Sequence, residues 1–254
     1  MTIVVDLLGP LRMTAGGSEV RLGGPGRRTV VALLALQPGA VVSVDRLVDA
    51  VWDDHPPVTA VTKLQGHICG LRREISRLGY DAAAVLQTTS PGYLLSDRLV
   101  STDLTEFERL SRVAAQSSDA RDTGQRVALL EQALGLWRGT ACSDVRSTRI
   151  VAAAATLDDR RARVQESLAE ARLHLGDVDT ALDEMHRLVL EQPLRERAWE
   201  MVMRCHIARR DTAAALAAYH QVSQLLATEL GVPPGRQLRT LAADLGAVGA
   251  LVTR

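Results

Sequence analysis

The sequence predicts a mixed fold, with an α+β segment over residues 1–98 followed by an all-α segment over 99–254. Three observations predict it. Short apolar runs punctuated by glycine and proline fill the first segment. Strand signals vanish near 97–102, after which Ala, Leu, Glu and Arg recur at helical spacing. One stretch of the second segment then repeats at a fixed interval. With 254 residues, 46% of them hydrophobic and 24% charged, the chain can bury a sizeable core in one or two domains.

Taken in order, IVVDLL at 3–8, EVRL at 19–22 and VVSV at 41–44 read as strands. Gly9-Pro10, Gly16-Gly17 and Gly23 to Gly26 mark the turns. DRLVDAVW at 45–52 reads as a helix with Ser43 as its N-cap, and Pro56-Pro57 turns the chain into a second helix over 59–78, capped by Thr59. In that helix Val61, Leu64, Ile68, Leu71, Ile75 and Leu78 form one apolar stripe. At 100° per residue the opposite face carries Thr62, Gly66, Cys69, Gly70, Arg73 and Arg77, flanked by Lys63, Gln65 and Arg72. LQTTSPGYLL at 86–95 reads as a hairpin around Ser-Pro-Gly. Helix, turn, helix and hairpin in this order spell a winged helix-turn-helix, whose second helix is suited to a major groove. The basic face alone fits a solvated helix surface equally well.

In the second segment LGDVDTALDEMHRLV at 175–189 realigns on RRDTAAALAAYHQV 34 residues later, pairing Ala181-Leu182 with Ala215-Leu216 and Met185 with Tyr219. A period of 34 is the tetratricopeptide spacing, so stacked helical hairpins are predicted. The stretch from Ala114 to Gly124 reads as an exposed connection without a role, and Trp52, Trp137 and Trp199 as core anchors.

Charge is balanced at 30 basic and 30 acidic residues, with 10 and 9 in residues 1–98. Any affinity for nucleic acid must therefore come from a local cluster and depend strongly on salt. Lys63 is the single lysine, and its VTKLQ context fits neither a phosphate-binding loop nor a kinase lysine. GPGRRT lacks the third glycine and the acidic partner of a dinucleotide loop, and GxSxG is absent. The six histidines show no HExxH or zinc spacing, and Asp53-Asp54 and Asp158-Asp159 read as surface charges. No enzymatic activity, cofactor or metal is expected. Cys69, Cys142 and Cys205 are expected as free thiols. No apolar run reaches the ~20 residues that span a bilayer, and MTIVVDLLGP lacks a secretion signal, so a cytoplasmic protein without membrane contact is expected.

LLGPL at 7–11, LGGPGRRTVVALLAL at 22–36, VVSVDRLVDAVW at 41–52, LRREI at 71–75 and SPGYLL at 90–95 resemble the Streptomyces antibiotic regulatory protein family. So do LTEFERL at 104–110, ALGLWRG at 133–139, EQPLRERAWEMVM at 191–203 and AAYHQVSQLLATELGVPPGRQLRTL at 217–241. The resemblance implies an OmpR-type winged-helix DNA-binding domain at 1–98 and a bacterial transcriptional activation domain at 99–254, in a small form without an appended ATPase. It implies an activator of antibiotic or secondary-metabolite genes that binds direct repeats in double-stranded DNA near the −35 region and recruits RNA polymerase holoenzyme. Side-by-side homodimers on DNA are expected. The positions matching the recognition helix are Thr62, Lys63, Gln65, His67, Arg72 and Arg73, with Thr59 at its start and Thr89, Ser90 and Tyr93 from the wing. Arg27 and Arg28, at a helix start rich in free N–H groups, are candidate phosphate contacts. Asp53, Asp54 and His55 match the polymerase-contacting turn. The chain departs from the family pattern at Cys69, Gly70 and Thr89. Two rival readings are a helical scaffold with a degenerate winged helix and a ligand-responsive repressor.

Overall fold

The computed structural model describes residues 3–116 and 123–252. Strands β1 (Ile3–Asp6), β2 (Arg12–Ala15) and β3 (Ser18–Glu19) precede α1 (Pro25–Ala35). Then come β4 (Val42–Ser43), α2 (Val44–Trp52), α3 (Ala60–Arg77), α4 (Ala82–Val85), the hairpin of β5 (Leu86–Thr89) and β6 (Gly92–Leu95), and β7 (Val100–Thr102). Helices α5 (Asp103–Gln116), α6 (Thr123–Gly135), α7 (Thr148–Leu175), α8 (Val178–Glu191), α9 (Glu196–Ala208), α10 (Thr212–Leu230) and α11 (Arg236–Val252) complete the chain.

The first sheet has the order β3-β2-β1-β7, with β1 antiparallel to β2 and parallel to β7. Ile3 and Val5 alternate inward from β1 against Met13 and Ala15 of β2, the period-2 burial that makes these runs strands. EVRL at 19–22 contributes only Glu19 to a strand; Val20 and Leu22 are buried from irregular backbone. IVVDLL is likewise a strand only to Asp6, because the next two N–H groups leave the ladder and donate to the Asp103 carboxylate, at 2.7 Å from Leu7 and 2.9 Å from Leu8. The second sheet, β4-β6-β5, carries the wing.

Two compact units emerge, and they cut the chain differently from a boundary at residue 98. The first comprises Met1–Leu110 with Ala133–Arg160, and the second Ser111–Gln132 with Arg161–Arg254. Buried polar bonding holds the first unit's two segments together. Asp103 also accepts from Arg138, Arg138 donates its backbone N–H to Leu8, and Cys142 N–H donates to Leu7 at 2.9 Å. Phe107 and Trp137 stack edge to face in the same region, and burial pushes the Cys142 thiol up to about 12.

In the second unit Val178 and Thr212 open α8 and α10, 34 positions apart, each preceded by an aspartate at the cap. Asp211 accepts a cap bond from Ala214 N–H at 2.9 Å, whereas Asp177 makes none. Ala181 and Ala215 are both fully buried, so the repeat marks equivalent core positions where α8–α9 and α10–α11 stack as helical hairpins. Gly231, at φ 68°, ends α10 in the left-handed conformation that costs glycine least. Within the stretch from Ala114 to Gly124, Ala114–Gln116 ends α5 and Thr123 opens α6, so these residues are helical; 117–122 lie outside the described residues.

Candidate nucleic-acid interface

Helix α3 forms because Leu64, Ile68, Leu71 and Ile75 recur at three- and four-residue spacing, and all four are buried. The preceding helix is capped as its sequence suggests, Ser43 Oγ accepting from Arg46 N–H at 3.2 Å. Thr59 does not cap α3 with its side chain: it is exposed, and only its carbonyl is engaged, by Lys63 N–H at 2.9 Å. Thr62, Lys63, Gln65, Gly66, Cys69, Arg73 and Arg77 are exposed along α3. From Thr62 to Arg73 they cover about 16 Å of helix length, at ~1.5 Å per residue. Among the described residues Lys63 and Arg73 have no ion-pair partner, while Arg77 pairs with Glu74 at 3.2 Å.

This face is bounded by two differently built flanks. On one, α1 lies against α3 through two glycines. A Cβ on Gly26 would stand 2.5 Å from His67 Nε2, and one on Gly70 would run into the Arg27 guanidinium. Gly70 is thus buried beneath Arg27 and is the socket that lets this cation lie on α3, while the surroundings of Gly66 are open. His67 is half-buried there, stacked on Trp52 with ring centroids 6.0 Å apart. Burial, and secondarily the Arg27 charge, hold its pKa below the usual histidine value.

On the other flank is the wing. Arg72 Nε and Nη2 donate to the Leu86 carbonyl at 3.0 and 2.6 Å, and Nη2 also donates to Thr88 Oγ1 at 2.8 Å. Thr89 and Ser90 are exposed at the hairpin tip, where the Ser90–Pro91 peptide is cis. Gly92 is obligatory because a Cβ there would overlap the Val42 carbonyl of β4.

The structure therefore brings together Arg27, Thr62, Lys63, Gln65, Arg73, Thr89 and Ser90, and redirects four expected contacts. Tyr93 is only 8% exposed, a core residue of β6 set between Val42 and Thr88. Arg28 turns inward, donating to the Leu11 carbonyl at 2.7 Å and pairing with Asp144. His67 is packed between α1 and α2, and Arg72 is engaged by the wing backbone. Asp53, Asp54 and His55 are exposed in the α2–α3 turn, followed by fully exposed Val58. Cys69 is exposed on the same outer face, where its helical phase places it.

Among the described residues no three His, Cys, Asp or Glu side chains converge on a metal position, and no helix is long and apolar enough to cross a membrane. The second unit holds an open, mainly apolar groove of about 410 Å³ beside Leu190, Pro193, Trp199 and Leu225.

Comparison with known proteins agrees with this architecture. Residues 17–95 match the family described as Transcriptional regulatory protein, C terminal, and residues 102–245 the Bacterial transcriptional activator domain. Transcriptional regulatory protein MoaR1 of Mycobacterium tuberculosis is 34% identical over 239 residues, 93% of this chain and 76% of the relative. Regulatory protein DnrI of Streptomyces peucetius is 36% identical over 243 residues, 93% of this chain and 89% of the relative. The solved structure of Mycobacterium tuberculosis EmbR, in complex with a low affinity phosphopeptide, superposes with a TM-score of 0.90 at 31% identity. It covers 96% of this chain, which spans 64% of that one. With a winged helix ahead of a helical activator domain, and relatives matched over nearly its whole length, the chain belongs to the Streptomyces antibiotic regulatory protein family of transcriptional regulators, not enzymes.

Proposed function

We propose that this regulator is a cytoplasmic, sequence-specific activator of a biosynthetic gene cluster. In this reading residues 1–98 are the DNA-binding domain, residues 99–254 activate, and α3 enters the major groove of direct repeats near the −35 region. One observation carries it: a single helix face exposes Thr62, Lys63, Gln65 and Arg73, with the Arg27 cation on one flank and a wing on the other. Gln65 has the amide geometry that reads adenine, and Arg73 can meet guanine or phosphate. Lys63, Arg27 and the wing tip at Thr89 and Ser90 supply backbone contacts. Asp53, Asp54 and His55 face RNA polymerase holoenzyme from the α2–α3 turn. Copies bind side by side, since one module with so few uncompensated cations needs a neighbour to hold its site.

The test is recovery of genomic fragments on the purified protein, then titration of an enriched duplex against a shuffled one at several salt concentrations. Promoter fragments with repeats about one helical turn apart are expected, the spacing that sets two modules on one DNA face. Lys63→Ala with Arg73→Ala should weaken binding roughly 10- to 100-fold and flatten the salt slope by about 2. Cys69 gives an independent readout. It is the exposed cysteine, whereas Cys142 and Cys205 are buried and pushed up to about 12 and about 11. Maleimide should label Cys69 alone, and the enriched duplex should protect it. Equal weak binding to both duplexes, with Cys69 still labelled, would favour the scaffold reading instead.

A further inference from the structure

Strand β5 is the outer strand of its sheet, so among the described residues no neighbouring strand takes up the backbone groups on its free side. Arg72 does so instead. Its guanidinium closes on the Leu86 carbonyl through Nε and Nη2 and reaches Thr88 Oγ1 through Nη2. The groups held are different in kind, the backbone carbonyl of Leu86 and the side-chain hydroxyl of Thr88 two residues on, so a rigid planar fork engaging both fixes the rotation of the hairpin about α3. A lysine ammonium, a point donor on a flexible stem, would not reproduce that fork. The hairpin tip at Thr89 and Ser90 lies directly beyond the clamped residues.

We propose that Arg72 is a positioning residue: it sets where the wing tip lies relative to the reading face and so determines the wing's share of DNA binding, without serving as a reading group itself. This role rests on the DNA-binding reading above. It predicts that substitutions at Arg72 and at the wing tip act through one shared contact surface, not through two.

The test uses the full chain as wild type, Arg72→Ala, Arg72→Lys, the wing-tip variant Thr89→Ala with Ser90→Ala, and the combination of wing tip and Arg72→Ala. Hydrogen exchange without DNA comes first. Arg72→Ala should speed exchange in 86–95 about tenfold while α3 and the second unit keep their protection. Unchanged exchange in the hairpin, or a uniform rise across the first unit, would overturn the clamp. Affinity for the enriched duplex comes second. The wing-tip variant and Arg72→Ala should each weaken binding several-fold, and the combination should be no weaker than the weaker single variant. Arg72→Lys should resemble Arg72→Ala despite keeping the charge. Additive losses, or wild-type affinity in Arg72→Lys, would make Arg72 a direct phosphate contact and overturn the proposal. If the wild type bound no duplex, the DNA-binding reading would fall and this role with it, while the exchange result would still report the clamp.

Discussion

The face around α3 in the first unit and the packed helices of the second treat their arginines in opposite ways. In the second, cations close onto carboxylates: Arg195 onto Glu166 at 2.5 Å, Arg197 onto Glu200 and Glu170 at 2.8 and 3.3 Å, and Arg172 onto Glu131 and Glu184. The Glu166 and Glu200 side chains are only 8% and 4% exposed; Arg195 ties Glu166 of α7 to the start of α9, while Arg197 bridges Glu200 of its own helix to Glu170 of α7. Around the exposed face of α3, Arg77 alone pairs with a carboxylate, that of Glu74, and among the described residues the other cations lean on neutral partners or on none. Arg27 lies over a glycine, Arg72 grips a carbonyl and a hydroxyl, and Lys63 and Arg73 point outward. A cation bonded to a neutral group keeps its field, whereas one bonded to a carboxylate loses most of it beyond a few ångströms. Elsewhere in the first unit arginines also close onto carboxylates, Arg28 onto Asp144 and Arg138 onto Asp103 among them, so the nearly balanced totals conceal one local face around α3 that presents uncancelled charge.

The largest effects should come from breaking buried polar bonding in each unit. In the first, Asp103→Ala strands the Leu7 and Leu8 N–H groups, both buried, and releases Arg138. At ~1–3 kcal/mol per stranded donor the loss should be about 2–6 kcal/mol. In the second, Arg195→Ala leaves Glu166 buried without its main partner and should cost about 3 kcal/mol. Urea unfolding of the full chain measures both. Because the Asp103 bonds join Leu7 and Leu8 to a residue beyond position 98, a fragment of residues 1–98 should unfold far below the midpoint of the whole protein. A fragment as stable as the whole would show that the first unit's two segments contribute little to each other.

How far the sequence revealed this depends on the range of each interaction. Helix α3 was legible because Leu64, Ile68, Leu71 and Ile75 write their burial in a local period, and the wing because two short apolar arms surround Ser90-Pro91-Gly92. The repeat was legible because Ala181 and Ala215 occupy equivalent core positions. Strands β2 and β7 were not, being three or four residues long and recruited by pairing with β1. The bonds that redirect Arg28 and Arg72 join residues 116 and 14 positions apart, and nothing local announces them. Tyr93 is expected as a wing contact from its place in the hairpin that resembles the family's wing, and only pairing with Val42 and Thr88 sets it in the core. At Gly70 the sequence displayed an outer-face position that departs from the family pattern, and only the tertiary fold shows that the Arg27 guanidinium fills the space beside it.

Gly66 and Gly70, one helical turn apart on α3, differ in what surrounds them. Glycine costs about 1 kcal/mol relative to alanine in a helix interior, so both Gly66→Ala and Gly70→Ala gain helix propensity. Gly66→Ala meets open space and should raise stability by up to that amount. Gly70→Ala meets the end of a flexible arginine, which can move aside, so stability should change little while the Arg27 guanidinium leaves its seat. Affinity for the enriched duplex should then fall several-fold in Gly70→Ala, and Arg27→Ala should abolish the difference between alanine and glycine at position 70. Undiminished affinity in Gly70→Ala would mean that Arg27 contributes nothing from its present seat.

The smallest effect concerns two half-buried histidines, one in each unit. His67 faces Arg27 and is held below the usual 6.5 by burial and then by that charge. His206 is held below it by burial and then by His186, with Asp211 opposing and Arg209 adding to the lowering. The unfolded chain therefore takes up protons below pH 6.5 before the folded one does. Stability should be complete above pH 6.5 and decline as pH falls toward the folded values. His67→Gln and His206→Gln should each shallow the decline in urea midpoint between pH 7.5 and 5.5. Asp103, whose carboxyl burial raises above its ordinary 3.8, titrates with the opposite sign, so the histidine contributions are read as differences between variant and parent at one pH. DNA then separates the two sites: a phosphate brought beside Arg27 favours the charged form of His67 and leaves His206 untouched. Saturating duplex should erase the pH dependence that His67→Gln removes and preserve the part that His206→Gln removes. Equal response of both histidines to DNA would mean that the bound phosphate does not lie on the α1 flank of the reading helix.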